Sequence, residues 1–126
     1  MGLSMYKKVR SFRKKIGLPV NDVPCLLPPD QASFYARFIM EELSEMLKAH
    51  ETGDLVGAAD AVTDLVYVAL GCAHHMGLPF EQIFEVVHEA NMQKLAGSTK
   101  RGGLGQDAMK PDGWVSPEKQ IEELLW

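Results

Sequence analysis

The sequence contains few cysteines, and their arrangement is not one that binds a metal ion. Cys25 and Cys72 are the only two among 126 residues, and they lie far apart. This spacing excludes a thiolate zinc motif. A chain with so few cysteines is typical of a reduced cytosolic protein, so we expect a cytoplasmic location.

The sequence also lacks an apolar segment of the kind that enters a membrane. No apolar stretch follows the basic N-terminus, so a signal peptide is not expected. The longest uncharged run, residues 65–80, contains two histidines and is too short to span a bilayer. We therefore expect no membrane partner.

An excess of positive charge is missing as well. The net charge of −4 disfavours general binding to nucleic acid, which usually requires a basic surface. Residues 1–20 are an exception, because they carry six lysines and arginines and no acid. This basic run indicates either a solvated helix face or a surface that faces phosphate or a partner.

No alternating pattern typical of strands is present, whereas helical periodicity recurs along the chain. We predict helices at about 4–16, 31–51, 55–76, 80–96 and 117–125, with Asp30 and Asp54 as N-caps and a Gly- and Lys-rich loop over 98–117. The expected fold is all-α, with a four-helix bundle-like core of antiparallel helices and a short C-terminal helix. The length suits one domain over 1–126.

Two acids interrupt the most apolar stretch of the chain. Asp60 and Asp64 lie within residues 55–73, which are otherwise almost entirely apolar. An apolar helix of this kind is normally buried, and a buried carboxylate requires a cation or several hydrogen bonds. Because the two acids are four residues apart, they share one helix face. A divalent-metal site explains them better than bonding to Ser, Thr or Arg side chains does.

A second acidic cluster precedes this pair on the predicted second helix. Glu41, Glu42 and Glu45 lie opposite the main apolar stripe, which consists of Ala36, Ile39, Met40, Leu43, Met46 and Leu47. The cluster alone fits a solvated face, although Phe34 and Phe38 lie on the same side. Together the two acidic clusters predict a site for Mg²⁺, which prefers carboxylate oxygens and commonly bridges to phosphates.

Polar residues downstream complete the pattern. His88, Asn91 and Lys94 recur at three-residue spacing, which is also typical of a simple polar face. Cations in the following loop suit a polyphosphate held opposite the metal, and Trp114 is close to them; these cations are Lys100, Arg101 and Lys110. A di-iron bundle is a weaker alternative, because Glu85 and His88 form one Glu-x-x-His step and that signature requires two.

These motifs resemble the all-α nucleoside triphosphate pyrophosphohydrolases, which include the MazG-like and phosphoribosyl-ATP pyrophosphohydrolase-like proteins. The family signature is Glu-Glu-x-x-Glu followed by Glu/Asp-x-x-Asp. The chain matches it with Glu41, Glu42 and Glu45, and then with Asp64. The usual second motif has acids three apart, but position 61 is Ala, so Asp60 replaces the earlier acid. The resemblance covers roughly residues 30–115 and extends to two downstream segments, Asn91-Met92-Gln93-Lys94 and Lys110-Pro111-Asp112-Gly113-Trp114.

The resemblance implies hydrolysis of a (d)NTP between its α and β phosphates, to a monophosphate and pyrophosphate, in nucleotide-pool clean-up. Glu41, Glu42 and Glu45 would form the catalytic group, in which Glu41 joins the metal shell or acts as general base. Glu42, Glu45, Asp60 and Asp64 would hold Mg²⁺, with Mn²⁺ as a possible substitute. Asn91 and Lys94 would bind sugar or phosphate, and Lys110 the distal phosphates.

The base pocket is predicted to involve Phe34, Arg37, Phe38 and Trp114. Arg37 can equally pair with an acid, and Trp114 can equally anchor a loop. Family members are usually dimers or tetramers, so a homodimer or homotetramer is expected. Phosphoribosyl-ATP is the less expected substrate, because nothing in the Lys-Pro-x-Gly-Trp tail points to histidine biosynthesis. The rival of another class is a non-catalytic helical binding or dimerisation module.

Overall fold

The computed structural model describes residues 2–97 and 104–126, and helices dominate them. They form α1 (Met5–Ile16), α2 (Pro29–Glu51), α3 (Leu55–His75), α4 (Phe80–Met92) and α5 (Glu118–Leu125). Two short strands, β1 (Leu95–Gly97) and β2 (Asp107–Met109), pair in antiparallel fashion with Ala96 opposite Ala108. The all-α class predicted from the sequence is confirmed.

The chain divides into two compact units, Met1–Leu78 and Pro79–Trp126. The first unit contains α1 to α3, and the second contains α4, the strand pair and α5. Within the second unit, α5 packs on α4. A single domain with a four-helix core stays a prediction, because α4 belongs to the second unit.

Local capping signals set most helix ends in the first unit. The Ser4 hydroxyl accepts a hydrogen bond from the Lys7 amide at 3.2 Å and so caps α1. Gly17 ends α1 with a φ of 79°, a conformation that glycine adopts without strain. The Asp54 carboxylate accepts from the Gly57 amide at 2.9 Å and caps α3, as predicted.

The predicted start of α2 is wrong by two residues. Asp30 is not its N-cap; the helix begins at Pro29 and places Asp30 in its first turn. Proline suits this position because the first helical residue needs no amide hydrogen, and its fixed φ is already helical. An acid in the first turn is also favourable, because the helix dipole is positive there.

Helices α2 and α3 pack against each other as a hairpin joined by residues 52–54, and α1 packs on α3. Three residues at seven-residue spacing form the buried side of α2: Tyr35, Glu42 and Ala49. This side carries an acid, whereas the apolar stripe remains open: Met40 is 65% exposed and Leu47 is 57% exposed. Interpretation of the acids of α2 as a solvated face is therefore wrong for Glu42.

Helix α3 is less buried than its composition predicts. Its length and composition alone would allow it to cross a membrane, yet 22% of its most apolar window is buried within the chain. The exposed apolar residues include Leu55, Val56, Val62 and Val66. The expectation that α3 is surrounded by protein on all sides therefore fails for a single chain.

The second unit corrects two further expectations. Helix α4 ends at Met92 rather than at residue 96, so Lys94 lies beyond the helix, after the C-cap residue Gln93. Strand β2 replaces part of the predicted 98–117 loop, and β1 precedes that segment. Predictions for Lys100 and Arg101 fall outside the described residues.

Candidate active site

The centre of the candidate site is Glu42, which α2 turns toward α3. Its side chain is 9% exposed, and Oε2 has no hydrogen-bond partner within the described part of the chain. A buried carboxylate oxygen without a donor is costly unless a cation or ligand satisfies it. Glu42 is therefore the acid whose environment most requires an additional partner.

Three other acids surround Glu42 and disfavour its negative charge. Burial raises the pKa of Glu42 above its ordinary value, and the charges of Glu45 and Asp64 raise it further. A hydrogen bond with Glu45 and the charge of Asp60 add to the same effect. Three of the four predicted metal ligands, Glu45, Asp60 and Asp64, thus lie near enough to the fourth, Glu42, for their charges to act on it. Like charges so grouped repel one another unless a cation neutralises them.

The burial of these acids differs from the sequence-based expectation. Asp60 is exposed and Asp64 is half-buried, so the predicted complete burial of this pair is wrong. Glu45 and Glu41 are exposed, and Glu41 is not among the charges that act on Glu42. The cluster therefore consists of one buried carboxylate at the helix interface and more accessible ones around it.

The chemistry of this cluster fits a hard cation. Across residues 2–97 and 104–126, no three His, Cys, Asp or Glu side chains are close enough to form a ready-made metal site. The donors are nevertheless all carboxylates, which Mg²⁺ prefers, and one of them has an unsatisfied buried oxygen. A divalent ion would relieve both the repulsion and the unsatisfied oxygen.

The first unit also contains a second polar network, which the sequence motifs do not indicate. Arg13 is 5% exposed, and its Nη2 donates to the Tyr35 hydroxyl at 3.0 Å. The Tyr35 hydroxyl also lies 2.8 Å from Nδ1 of His75. Burial lowers the pKa of His75, and the charge of Arg13 lowers it further, so the neutral imidazole is favoured. The available signal was the spacing of Arg13 from Val9, since residues four apart share a helix face.

Aromatic side chains form a cavity of about 180 Å³ beside this network. Phe34 and Phe38 line it, as does Arg13. Arg37 is exposed and does not line the cavity. No carboxylate in the described segments lies within 4.0 Å of the Arg37 guanidinium, so the structure gives no support to its alternative role as partner of an acid.

The second unit groups the predicted phosphate-binding lysines around Trp114. Nζ of Lys94 lies 5.1 Å from the ring centroid of Trp114, and Nζ of Lys110 lies 5.0 Å from it. The Trp114 indole N–H donates to the Ala90 carbonyl at 2.8 Å, so this side chain does anchor its loop to α4. Asn91 lies exposed in the last turn of α4. The ammonium groups of both lysines therefore contact the ring of one anchored tryptophan.

Comparison with known proteins identifies a family for most of this chain. The sequence profile of a family described as phosphoribosyl-ATP pyrophosphohydrolase matches residues 9–91. A search of curated proteins found no match. The matched range contains all four acids of the cluster and ends before Lys94, Lys110 and Trp114. The match confirms the resemblance stated above and identifies the chain as an enzyme rather than a binding module.

Proposed function

The chain belongs to the phosphoribosyl-ATP pyrophosphohydrolase family, whose members hydrolyse phosphoric anhydrides, and we propose that its substrate is a (d)NTP. In the proposed reaction, the oxygen of water bonds to the α-phosphorus and the bond from that phosphorus to the α,β-bridging oxygen breaks. Pyrophosphate leaves with the electron pair, and the nucleoside monophosphate remains. The proposed role is removal of unwanted nucleotides from the cytoplasmic pool.

The observation that carries this proposal is the buried, unsatisfied Oε2 of Glu42 beside three further acids. Glu42, Glu45, Asp60 and Asp64 would hold Mg²⁺, or Mn²⁺ in its place. When bound, such an ion supplies Lewis-acid activation of water and stabilises charge on the phosphates. The carboxylates themselves would contribute a local excess of negative charge, which favours a divalent cation over a monovalent one.

The remaining predicted residues supply proton transfer and substrate binding. Glu41 is exposed on α2, next to Glu42 in sequence, and would accept a proton from the attacking water. Lys94 and Lys110 would bind the phosphates, where their positive charge stabilises the leaving pyrophosphate. Asn91 would bind sugar or phosphate, and Trp114 would hold both lysines in place.

The working form is proposed to be a homodimer or homotetramer. The support is the exposed apolar stripe of α2 together with the exposed apolar side of α3. Surfaces of this kind normally meet a partner, and a second copy supplies a matching one. A membrane is a poorer partner for α3, because Asp60 and Asp64 lie within the helix and charges are costly in a bilayer. Sedimentation equilibrium of the purified protein tests this assignment.

The reaction is tested by incubating the protein with Mg²⁺ and a panel of ribo- and deoxynucleoside triphosphates. The expected products are the monophosphate and pyrophosphate, separated by anion-exchange chromatography. Release of orthophosphate and a diphosphate would show cleavage at the other anhydride and contradict the proposal. Absence of turnover, together with a melting temperature that Mg²⁺ leaves unchanged, would also overturn it.

A further inference from the structure

The aromatic cavity in the first unit has the features of a ligand pocket rather than of a packing defect. Its rings come from all three helices of this unit, and they are Phe12, Phe34, Tyr35, Phe38 and Tyr67. Four of these rings remain between 36% and 51% exposed, so the cavity opens to solvent. Ligand pockets are commonly apolar and aromatic, with few polar groups placed to orient the ligand.

The cavity lies one helical turn from the acidic cluster on both helices that carry it. Phe38 precedes Glu42 by four residues on α2, a rise of about 6 Å along the helix. Tyr67 follows Asp64 by three residues on α3. A nucleotide whose phosphates lie at the acids would therefore extend its base toward the rings.

Arg13 is the charged group of this cavity, and its hydrogen bonding is incomplete. Its Nε donates to the Pro19 carbonyl at 2.9 Å and its Nη2 to the Tyr35 hydroxyl at 3.0 Å. Within residues 2–97 and 104–126, Nη1 has no acceptor and no carboxylate lies within 4.0 Å. Arg13 is 5% exposed, and Nη1 is not among the fully buried atoms that lack a partner, so this donor keeps some contact with solvent and is available to a ligand acceptor.

The surroundings hold this guanidinium in place. The Tyr35 hydroxyl accepts from Arg13 and can donate its own hydrogen to Nδ1 of His75 at 2.8 Å. Gly71 gives Arg13 room to approach α3, since an added Cβ there would lie 3.0 Å from Nη1. A donor fixed in this way loses little entropy when a ligand binds.

We propose that this cavity binds the nucleobase of the substrate, and that Arg13 selects a base with a ring carbonyl oxygen. The rings would stack on the base, while Nη1 of Arg13 donates to the carbonyl. Uracil, cytosine and guanine carry such an oxygen, whereas adenine presents a donor amino group beside each major-groove or pairing-edge acceptor. This inference rests on the proposed function and specifies its substrate class.

A phosphate is a poorer occupant of the cavity. Phosphate oxygens require several donors, whereas the cavity presents one incompletely bonded guanidinium among aromatic rings. A neutral carbonyl group needs a single donor and tolerates apolar surroundings.

The test measures Kd by calorimetry for dUMP, dCMP, dGMP and dAMP with Mg²⁺, separately from turnover. We expect the wild-type protein to bind the three carbonyl-bearing nucleotides on the order of 10- to 100-fold more tightly than dAMP. Arg13→Gln should remove this preference. Arg10→Gln is the matched control, because Arg10 lies on the same helix but pairs with Asp22 at the surface.

The outcomes separate this inference from the proposed function. Equal affinity for all four nucleotides in the wild-type protein, or an unchanged preference in Arg13→Gln, overturns base selection even when triphosphates are hydrolysed. Selective binding that depends on Arg13, without any hydrolysis, supports the pocket and overturns the proposed reaction.

A second variant covers the case in which Arg13→Gln does not fold. Tyr67→Leu removes one ring from the cavity at a half-exposed position, so it leaves the Arg13 network intact. Since stacking contributes about 1–3 kcal/mol per base, affinity for all four nucleotides should fall by on the order of 5- to 100-fold. Unchanged affinity in this folded variant overturns the assignment of the cavity to the base.

Discussion

Replacement of Tyr35 by Phe would test whether the Arg13 network stabilises the first unit. Tyr35 is 8% exposed, and its hydroxyl is the shared partner of Arg13 Nη2 and His75 Nδ1. The substitution keeps the ring and its packing, and it removes one oxygen. The effect on stability therefore reports on the two hydrogen bonds rather than on the core.

The expected loss of stability depends on whether Arg13 and His75 can each find another hydrogen-bond partner. Leaving a buried polar group without a partner costs about 1–3 kcal/mol, and more when the group is charged. Arg13 is nearly fully buried, so loss of its bond to the Tyr35 hydroxyl should lower the free energy of unfolding by about 2 kcal/mol. His75 is half-buried and can bond to water instead, so loss of its bond should cost less. We therefore expect the free energy of unfolding to fall by about 2–3 kcal/mol, which lowers the melting temperature by roughly 5–12 °C.

Urea unfolding followed by far-UV circular dichroism measures this loss. Tryptophan fluorescence is unsuitable, because Trp114 and Trp126 both lie in the second unit. Tyr67→Phe is the matched control, since no hydrogen bond of the Tyr67 hydroxyl is present among the described residues. A loss for Tyr35→Phe no larger than that of the control, within about 0.5 kcal/mol, would refute the stabilising role of the network.

Two further predictions concern the acids and the histidine. Glu45→Gln and Asp64→Asn should each lower kcat by about 100-fold or more, because each removes a charge that holds the metal, while the far-UV spectrum stays unchanged. Because the pKa of His75 is lowered in the folded chain, the unfolded chain binds the proton first as the pH falls. The free energy of unfolding should therefore decrease below about pH 6.5, and His75→Gln should lessen this decrease.

The control variants for the acid and histidine predictions replace exposed residues of the same type. Glu51→Gln lies at the end of α2, outside the acidic cluster, and should retain activity. Residual activity above about a tenth of wild type in Glu45→Gln or Asp64→Asn would rule out an essential metal ligand there. His88→Gln should keep the wild-type dependence of stability on pH; a profile for His75→Gln that matches wild type would contradict the assignment to His75.

Local signals in the sequence were sufficient to predict most of the helices. Ser4, Gly17 and Asp54 act through atoms within a few residues, so their roles can be inferred without knowledge of the fold. The strands were missed because each has three residues, too few for an alternating pattern to be recognised. The early end of α4 at Met92 was missed for the same reason, since β1 begins soon after it.

The candidate site was predictable in its residues and not in its burial. Helical periodicity places Glu42 and Glu45 on one side of α2, but it does not state which side another helix covers. The apolar stripe of α2 favoured burial of the stripe and exposure of the acids. In the structure Glu42 is buried and much of the stripe is exposed. Arg13 was overlooked because a lone arginine in a basic segment is normally solvated, and its environment depends on residues far along the chain.

The two departures from ordinary burial require different partners. Apolar side chains on α2 and α3 are exposed, and a carboxylate with an unsatisfied oxygen is buried between these helices. Hydrophobic surface is stabilised by contact with another apolar surface, whereas a buried carboxylate is stabilised by a cation. A second copy of the chain can supply the first and a divalent ion the second, and neither can replace the other. The proposed oligomer and the proposed metal ion therefore answer two separate requirements of this structure.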